Sequence, residues 1–177
     1  FFKSIGVEKG KKVGIFLQNS PEYIFSYFAI FKIGATGVPI DHRLKVNEIC
    51  TLLNHSQSEY LITYNFKDFN ADEIKKNVPS IKEIILIDER VQNTLFIGES
   101  ENFSSFFLTT DIDENSISLI IYTSGTTGIP KGVIWTYKNL ESPIESFRYF
   151  NLFKGGETTL CCIPFSHNGG IIYPILM

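Results

Sequence analysis

Residues 12–40, KVGIFLQNSPEYIFSYFAIFKIGATGVPI, read as a strand, a helix and a second strand. Residues 12–17 have the apolar composition of a buried strand. Ser20 then offers an N-cap hydroxyl, and Pro21 suits the first helical position, where its missing N–H is not needed. From Tyr23 to Ile33 the chain is mostly apolar, which predicts a largely buried helix, and Gly34 ends it. Residues 37–40 make a short strand. A helix between two strands carries the chain back to its starting edge, so the pair is expected to be parallel.

The same alternation continues outward. Val46, Ile49, Cys50 and Leu53 fall at i, i+3, i+4 and i+7, one face of a helix over 46–53. Residues 59–64 read as a strand, 68–77 as a short polar helix and 83–88 (EIILID) as a buried strand. The fold class that follows is α/β, a mostly parallel sheet flanked by helices with right-handed crossovers. Residues 89–115 lack periodicity and read as a long surface connection. Strands are expected at 117–122 and 132–135, then a helix over 136–150 with Thr136 as cap. Pro143 should kink or interrupt that helix. Residues 158–163 read as a strand and 164–170 as a turn.

Composition narrows the function. A 44% apolar content supports a packed core and excludes disorder. A net charge of −3 argues against nucleic acid as the main partner, so any phosphate site must be built locally by a loop. Cys50, Cys161 and Cys162 have no regular spacing, which favours a reducing, cytoplasmic setting over a disulfide framework. Cys161 and Cys162 fall in an expected strand, so at least one should reach the core. No apolar run nears the roughly 18 residues of a membrane span, and no leader pattern is present. No metal site is expected, because the Cys and His residues do not cluster at ligand spacing. His42 and His55 have no evident partner and read as structural or solvent-facing; Arg43 reads as an anchor for the connection after Ile40. The Lys9–Lys12 charge cluster belongs on a solvated turn. The chain starts on Phe1 and ends on the apolar run 171–177, so both ends read as cut.

The chemistry concentrates in residues 122–133, YTSGTTGIPKGV. Thr123, Ser124, Thr126 and Thr127 supply hydroxyls, Gly125 and Gly128 let the backbone approach a ligand, and Lys131 adds a point charge. A strand that empties into such a loop is suited to hold a polyphosphate. Neither the G-x-x-x-x-G-K-[ST] pattern nor G-x-G-x-x-G is met, and strands on both sides separate it from loops that open a helix. An ordinary surface turn would also account for these residue types.

The string YTSGTTGIPKGV closely resembles the signature of the adenylate-forming superfamily, which includes acyl-CoA synthetases, firefly luciferase and peptide-synthetase adenylation domains. Residues 13–40 resemble that family's first conserved block, 41–53 the segment after it, and 164–170 (PFSHNGG) the block in which a histidine follows a proline and an aromatic. The resemblance spans nearly the whole chain and implies that 1–177 is part of a large N-terminal AMP-binding domain, without the C-terminal domain. It implies a two-step reaction: a carboxylic acid attacks the α-phosphate of Mg·ATP to give an acyl-adenylate, then a thiol, usually coenzyme A, takes the acyl group. ATP, Mg2+ and coenzyme A are the implied cofactors. By the match, Thr123, Ser124, Gly125, Thr126, Thr127, Gly128 and Lys131 bind ATP, with Lys131, Thr126 and His167 in catalytic roles. Thr136 is followed by Tyr137 where the family often has histidine, and Pro143 is unusual. The acidic block, the ribose-binding aspartate, the hinge and the C-terminal lysine cannot be found in this sequence. The Thr126–Thr127 pair and the His167 block favour an acyl-CoA synthetase. A peptide-synthetase-like adenylation domain, a non-catalytic nucleotide-binding fragment and a phosphate-binding hydrolase remain alternatives.

Overall fold

Lys12–Ile15 forms β1, Pro21–Ile33 forms α1 and Thr36–Pro39 forms β2, the expected strand–helix–strand unit. The computed structural model describes residues 1–104, 111–123, 130–150, 158 and 160–176, with backbone alone for 173–176. Ser20 caps α1 by accepting a hydrogen bond from the Tyr23 N–H, and Gly34 closes it at φ 78°, where a side chain would be strained. α1 is buried on one face only, through Tyr23, Ser26, Tyr27, Ile30 and Ile33. Phe25 and Phe28 stay exposed, so the helix is less buried than its composition implied. A helix laid on one side of a sheet can hide only one stripe.

α2 (Val46–Ser56), β3 (Tyr60–Thr63), α3 (Ala71–Asn77) and β4 (Glu83–Leu86) follow in the expected order. β5 (Leu95–Phe96) and a 3-10 helix over Ile97–Asn102 interrupt what read as one long connection. Two residues paired to β4 at the sheet edge are too few to leave a periodic signal. β6 (Ile117–Thr123) and β7 (Lys131–Thr136) form a hairpin, and α4 (Tyr137–Tyr149) and α5 (Asn168–Leu176) complete the described elements.

These strands make a seven-stranded sheet in the order β5-β4-β3-β1-β2-β6-β7. Neighbours are parallel from β5 through β6. Only β7 runs antiparallel, against β6. Side chains alternate across the sheet as the pleat requires. Val13, Ile15, Tyr60 and Ile62 pack with α1, while Phe16, Leu61, Ile84 and Leu86 pack with α2 and α3. Both faces are covered there, which explains why the strands read as continuous apolar runs.

α4 continues through Pro143 without interruption. The proline removes one helical bond, to the Asn139 carbonyl, and the remaining bonds carry the chain past it. Thr136 caps the helix as expected, and Asn139 reaches back to the Thr136 N–H. Positions 158 and 160–163, expected as a strand, are not strand among the described residues. Leu160 is 92% exposed and Cys162 is exposed, while Cys161 is half-buried and packs against the margin of the core. Strand propensity alone does not make a strand, because pairing and packing context decide it. Lys9 donates to the Asp111 carbonyl and Lys11 pairs with Glu59, so the basic cluster is tied down and not simply solvated.

Candidate functional site

The chain leaves β2 at Ile40 and turns toward α2, while β6 ends at Thr123 and its hairpin partner resumes at Lys131. Strand carboxyl ends from which the chain departs in different directions leave a crevice, the usual place for a ligand in an open α/β sheet. Here the crevice is a cavity of about 540 Å³. Tyr122, Thr123 and Pro130 border it from the hairpin, Asp41 from the end of β2, and Ser166 and His167 from the turn before α5. A second cavity of about 300 Å³, beside α1 and residues 1–3, is bordered by none of the expected site residues.

Thr123 and His167, far apart in sequence, therefore meet at one cavity. Lys131 is the register partner of Thr123 at the base of the hairpin, so the two side chains share a face of the ribbon. Lys131 is exposed and does not itself border the cavity. Ser124, Gly125, Thr126, Thr127 and Gly128 lie outside the described residues.

His167 stands at the start of α5: its N–H donates to the Pro164 carbonyl, and its own carbonyl accepts the first helical bond, from Ile171 N–H. Gly170, expected as part of a turn, lies in the first turn of α5, because the helix begins at Asn168, and a Cβ there would lie 2.0 Å from the Pro164 oxygen. The turn is fastened to the first strand–helix unit. Asn19 Nδ2 donates to the Ile163 carbonyl at 3.0 Å, and Phe165 N–H donates to Asn19 Oδ1 at 2.7 Å. Tyr27 donates its hydroxyl to the Phe165 carbonyl at 2.8 Å, and Phe165 packs edge-on against Tyr23. Burial pushes both phenols well above the ordinary tyrosine range, so they stay neutral. Ser166 is buried, and its Oγ has no hydrogen-bond partner among the described residues.

Asp41 supplies the charge at the cavity mouth. Arg43 donates to it from Nε at 2.9 Å, from Nη2 and from its backbone N–H at 3.0 Å. Those bonds hold the Asp41 carboxyl well below the usual carboxylate range. His167 Nε2 lies 3.3 Å from Asp41 Oδ2. Arg43 thus anchors the connection after Ile40, as expected, and does so through Asp41. His55 is not solitary: its Nδ1 lies 2.7 Å from the Tyr122 hydroxyl. His42 sits 3.9 Å from Asp41. Among the described residues no group of three or more His, Cys, Asp or Glu could hold a metal ion. Asn19, Tyr27 and Asp41 were not singled out by sequence. Asn19 and Asp41 carried one available signal, a polar residue just beyond the end of a buried strand.

The sequence profile described as AMP-binding enzyme matches residues 1–177. The chain belongs to the AMP-binding enzyme family. It is 34% identical over 145 residues to a crotonobetaine/carnitine–CoA ligase of Salmonella paratyphi B, a match covering 78% of this chain and 28% of that protein. The crystal structure of a long-chain-fatty-acid–CoA ligase from Archaeoglobus fulgidus superposes with a TM-score of 0.88 at 27% identity, over 99% of this chain and 35% of that one. An anthranilate–CoA ligase in complex with anthranoyl-AMP superposes with a TM-score of 0.73 at 28% identity, over 81% of this chain and 28% of that one. This member of the AMP-binding family thus spans about a third of the length of such relatives. Among its described residues no helix is long and apolar enough to cross a membrane.

Proposed function

We propose that residues 1–177 are part of the N-terminal AMP-binding domain of an AMP-forming acid–thiol ligase, with a C-terminal domain elsewhere in the protein. An oxygen of the acid's carboxylate bonds to the α-phosphorus of ATP, the bond to the β-phosphate oxygen breaks, and pyrophosphate leaves. A thiol, taken to be that of coenzyme A, then attacks the acyl carbon, and AMP departs with the bonding pair. The chain's own part is positioning and charge stabilisation, since the substrate carboxylate is itself the nucleophile.

One observation carries this reading: the hairpin of an AMP-binding family member closes, through Thr123 and Lys131, beside the cavity that also receives His167. Thr123, Ser124, Thr126 and Thr127 are assigned to the triphosphate by donation from hydroxyl and backbone, and Gly125 and Gly128 to its close approach. Lys131 is assigned to charge developing on the leaving pyrophosphate, and His167 to the junction of acid and nucleotide. Magnesium, if carried in with the triphosphate, would neutralise its oxygens. Of the two carboxylates bordering the cavity, Asp41 does not fit as its ligand, because Arg43 engages both of its oxygens, whereas Glu48 accepts a bond from the Lys45 N–H on Oε2 alone. The anthranoyl-AMP of one structural neighbour supports the adenylate intermediate, and the CoA ligases among the relatives support the thiol. A place in fatty-acid metabolism rests on the Archaeoglobus neighbour, and a cytoplasmic setting on three cysteines that are all free.

The test is acid-dependent exchange of pyrophosphate into ATP by the complete protein, across a panel of carboxylic acids. AMP and pyrophosphate as products support the ligase; ADP and phosphate point to a hydrolase. Lys131→Ala is expected to slow exchange by about 10²-fold, the scale of losing one transition-state charge stabiliser, with the fold retained. Unchanged exchange removes Lys131 from the mechanism.

A further inference from the structure

The cavity contains a polar contact that the ligase reading does not use. Asp41 reaches the mouth from the end of β2, and its side chain is only 20% exposed. Arg43 grips it through two guanidinium nitrogens and a backbone N–H, a forked geometry that fixes the plane of the carboxylate. The same Oδ2 lies 3.3 Å from His167 Nε2. Meanwhile the backbone around His167 is fixed separately, by Asn19 and Tyr27 on residues 163 and 165. Backbone and imidazole are therefore held by different partners.

Resting on the ligase reading above, we propose that Asp41 is the positioning residue for His167: clamped by Arg43, it accepts the Nε2–H and sets one ring orientation and one tautomer at the cavity. With the ring neutral, the proton is on Nε2 and Nδ1 is the unprotonated nitrogen. A histidine at the start of a helix, half exposed and without such a partner, would rotate among rotamers and sample both tautomers. Fixing it before substrate arrives presents the same imidazole edge to the reacting acid in every encounter. The carboxylate does not touch the substrate in this arrangement; it acts through the ring.

The test combines two readouts on the complete protein. Nitrogen-15 NMR of labelled histidine, with the His167 signal assigned by its loss in His167→Gln, is expected to show the Nε2–H tautomer. Asp41→Ala should give mixed tautomers, and Asp41→Asn, which keeps an acceptor oxygen, should restore the Nε2–H form. In pyrophosphate exchange, Asp41→Ala is expected to lower kcat by about 10- to 100-fold with the KM for ATP little changed, as for a misplaced group, while Asp41→Asn stays within about threefold of the parent. The proposal is overturned if the His167 tautomer does not change in Asp41→Ala, or if the alanine and asparagine variants lose activity equally with the tautomer intact. A parent protein that exchanges with no acid sinks the ligase reading, and the tautomer measurement still decides the Asp41–His167 link.

Discussion

Asp41 is ionised in the folded protein far below the pH at which a free carboxylate protonates, because hydrogen bonds from Arg43 favour its charged form. A depressed folded pKa has a definite sign. Its contribution to stability is complete above the unfolded value of about 3.9 and is lost as pH falls toward the folded value. Asp41→Asn is therefore expected to lower stability at pH 7, with the deficit shrinking as pH falls below about 4. Urea denaturation of parent and variant across that range measures it, and a deficit independent of pH would mean that the pair is not linked to folding. Asp41 could be read from the sequence only as a polar residue after a strand. Its value comes from Arg43, two residues on, and from His167, which the fold brings across 126 positions.

The caps of the first helix show what local sequence determines. Ser20, Pro21 and Gly34 each act within a few residues of themselves, so α1 was legible to its ends. The Thr136 cap of α4 was legible for the same reason. Positions 158 and 160–163 did not follow their strand composition because pairing and packing context, not local pattern, decide a strand, and β5 escaped notice because two residues carry no period. The turn leading into α5 was only half legible. Its histidine stood out, but Gly170 did not, because the reason for it is the Pro164 carbonyl pressed against it. Replacement of Gly170 by Ala would force its Cβ against the Pro164 backbone, which no side-chain rotation relieves. The expected cost is about 1–3 kcal/mol, the scale of overpacking a tight site. Chemical denaturation reads that cost, and because the turn carries His167, pyrophosphate exchange should fall as well. A variant with unchanged stability would show that the helix start can shift freely.

Across the whole molecule, burial is uneven. β1, β3 and β4 are sandwiched between helices on both faces, and their apolar runs made the parallel sheet legible. Toward β7 the cover thins. The segment between β6 and β7 was legible by composition, since glycines and hydroxyls cluster there, but Asp41 and His167, which share a cavity with Thr123 and Pro130, arrive from other parts of the chain. Val133 and Ile134 are adjacent in β7 and so point to opposite faces of the sheet, yet they are 44% and 57% exposed. Both faces of this strand are thus open, and as the last strand of the described sheet it also offers an unpaired edge. An open apolar edge is a template for pairing with another copy, and a charge placed on it opposes that pairing. The 177-residue chain is expected to self-associate as its concentration rises, and Ile134→Lys to shift it toward monomer with the circular dichroism unchanged. Sedimentation velocity over a hundredfold concentration range distinguishes the outcomes. A parent chain that stays monomeric throughout would mean that Val133 and Ile134 are tolerated in water, and that this edge needs no cover.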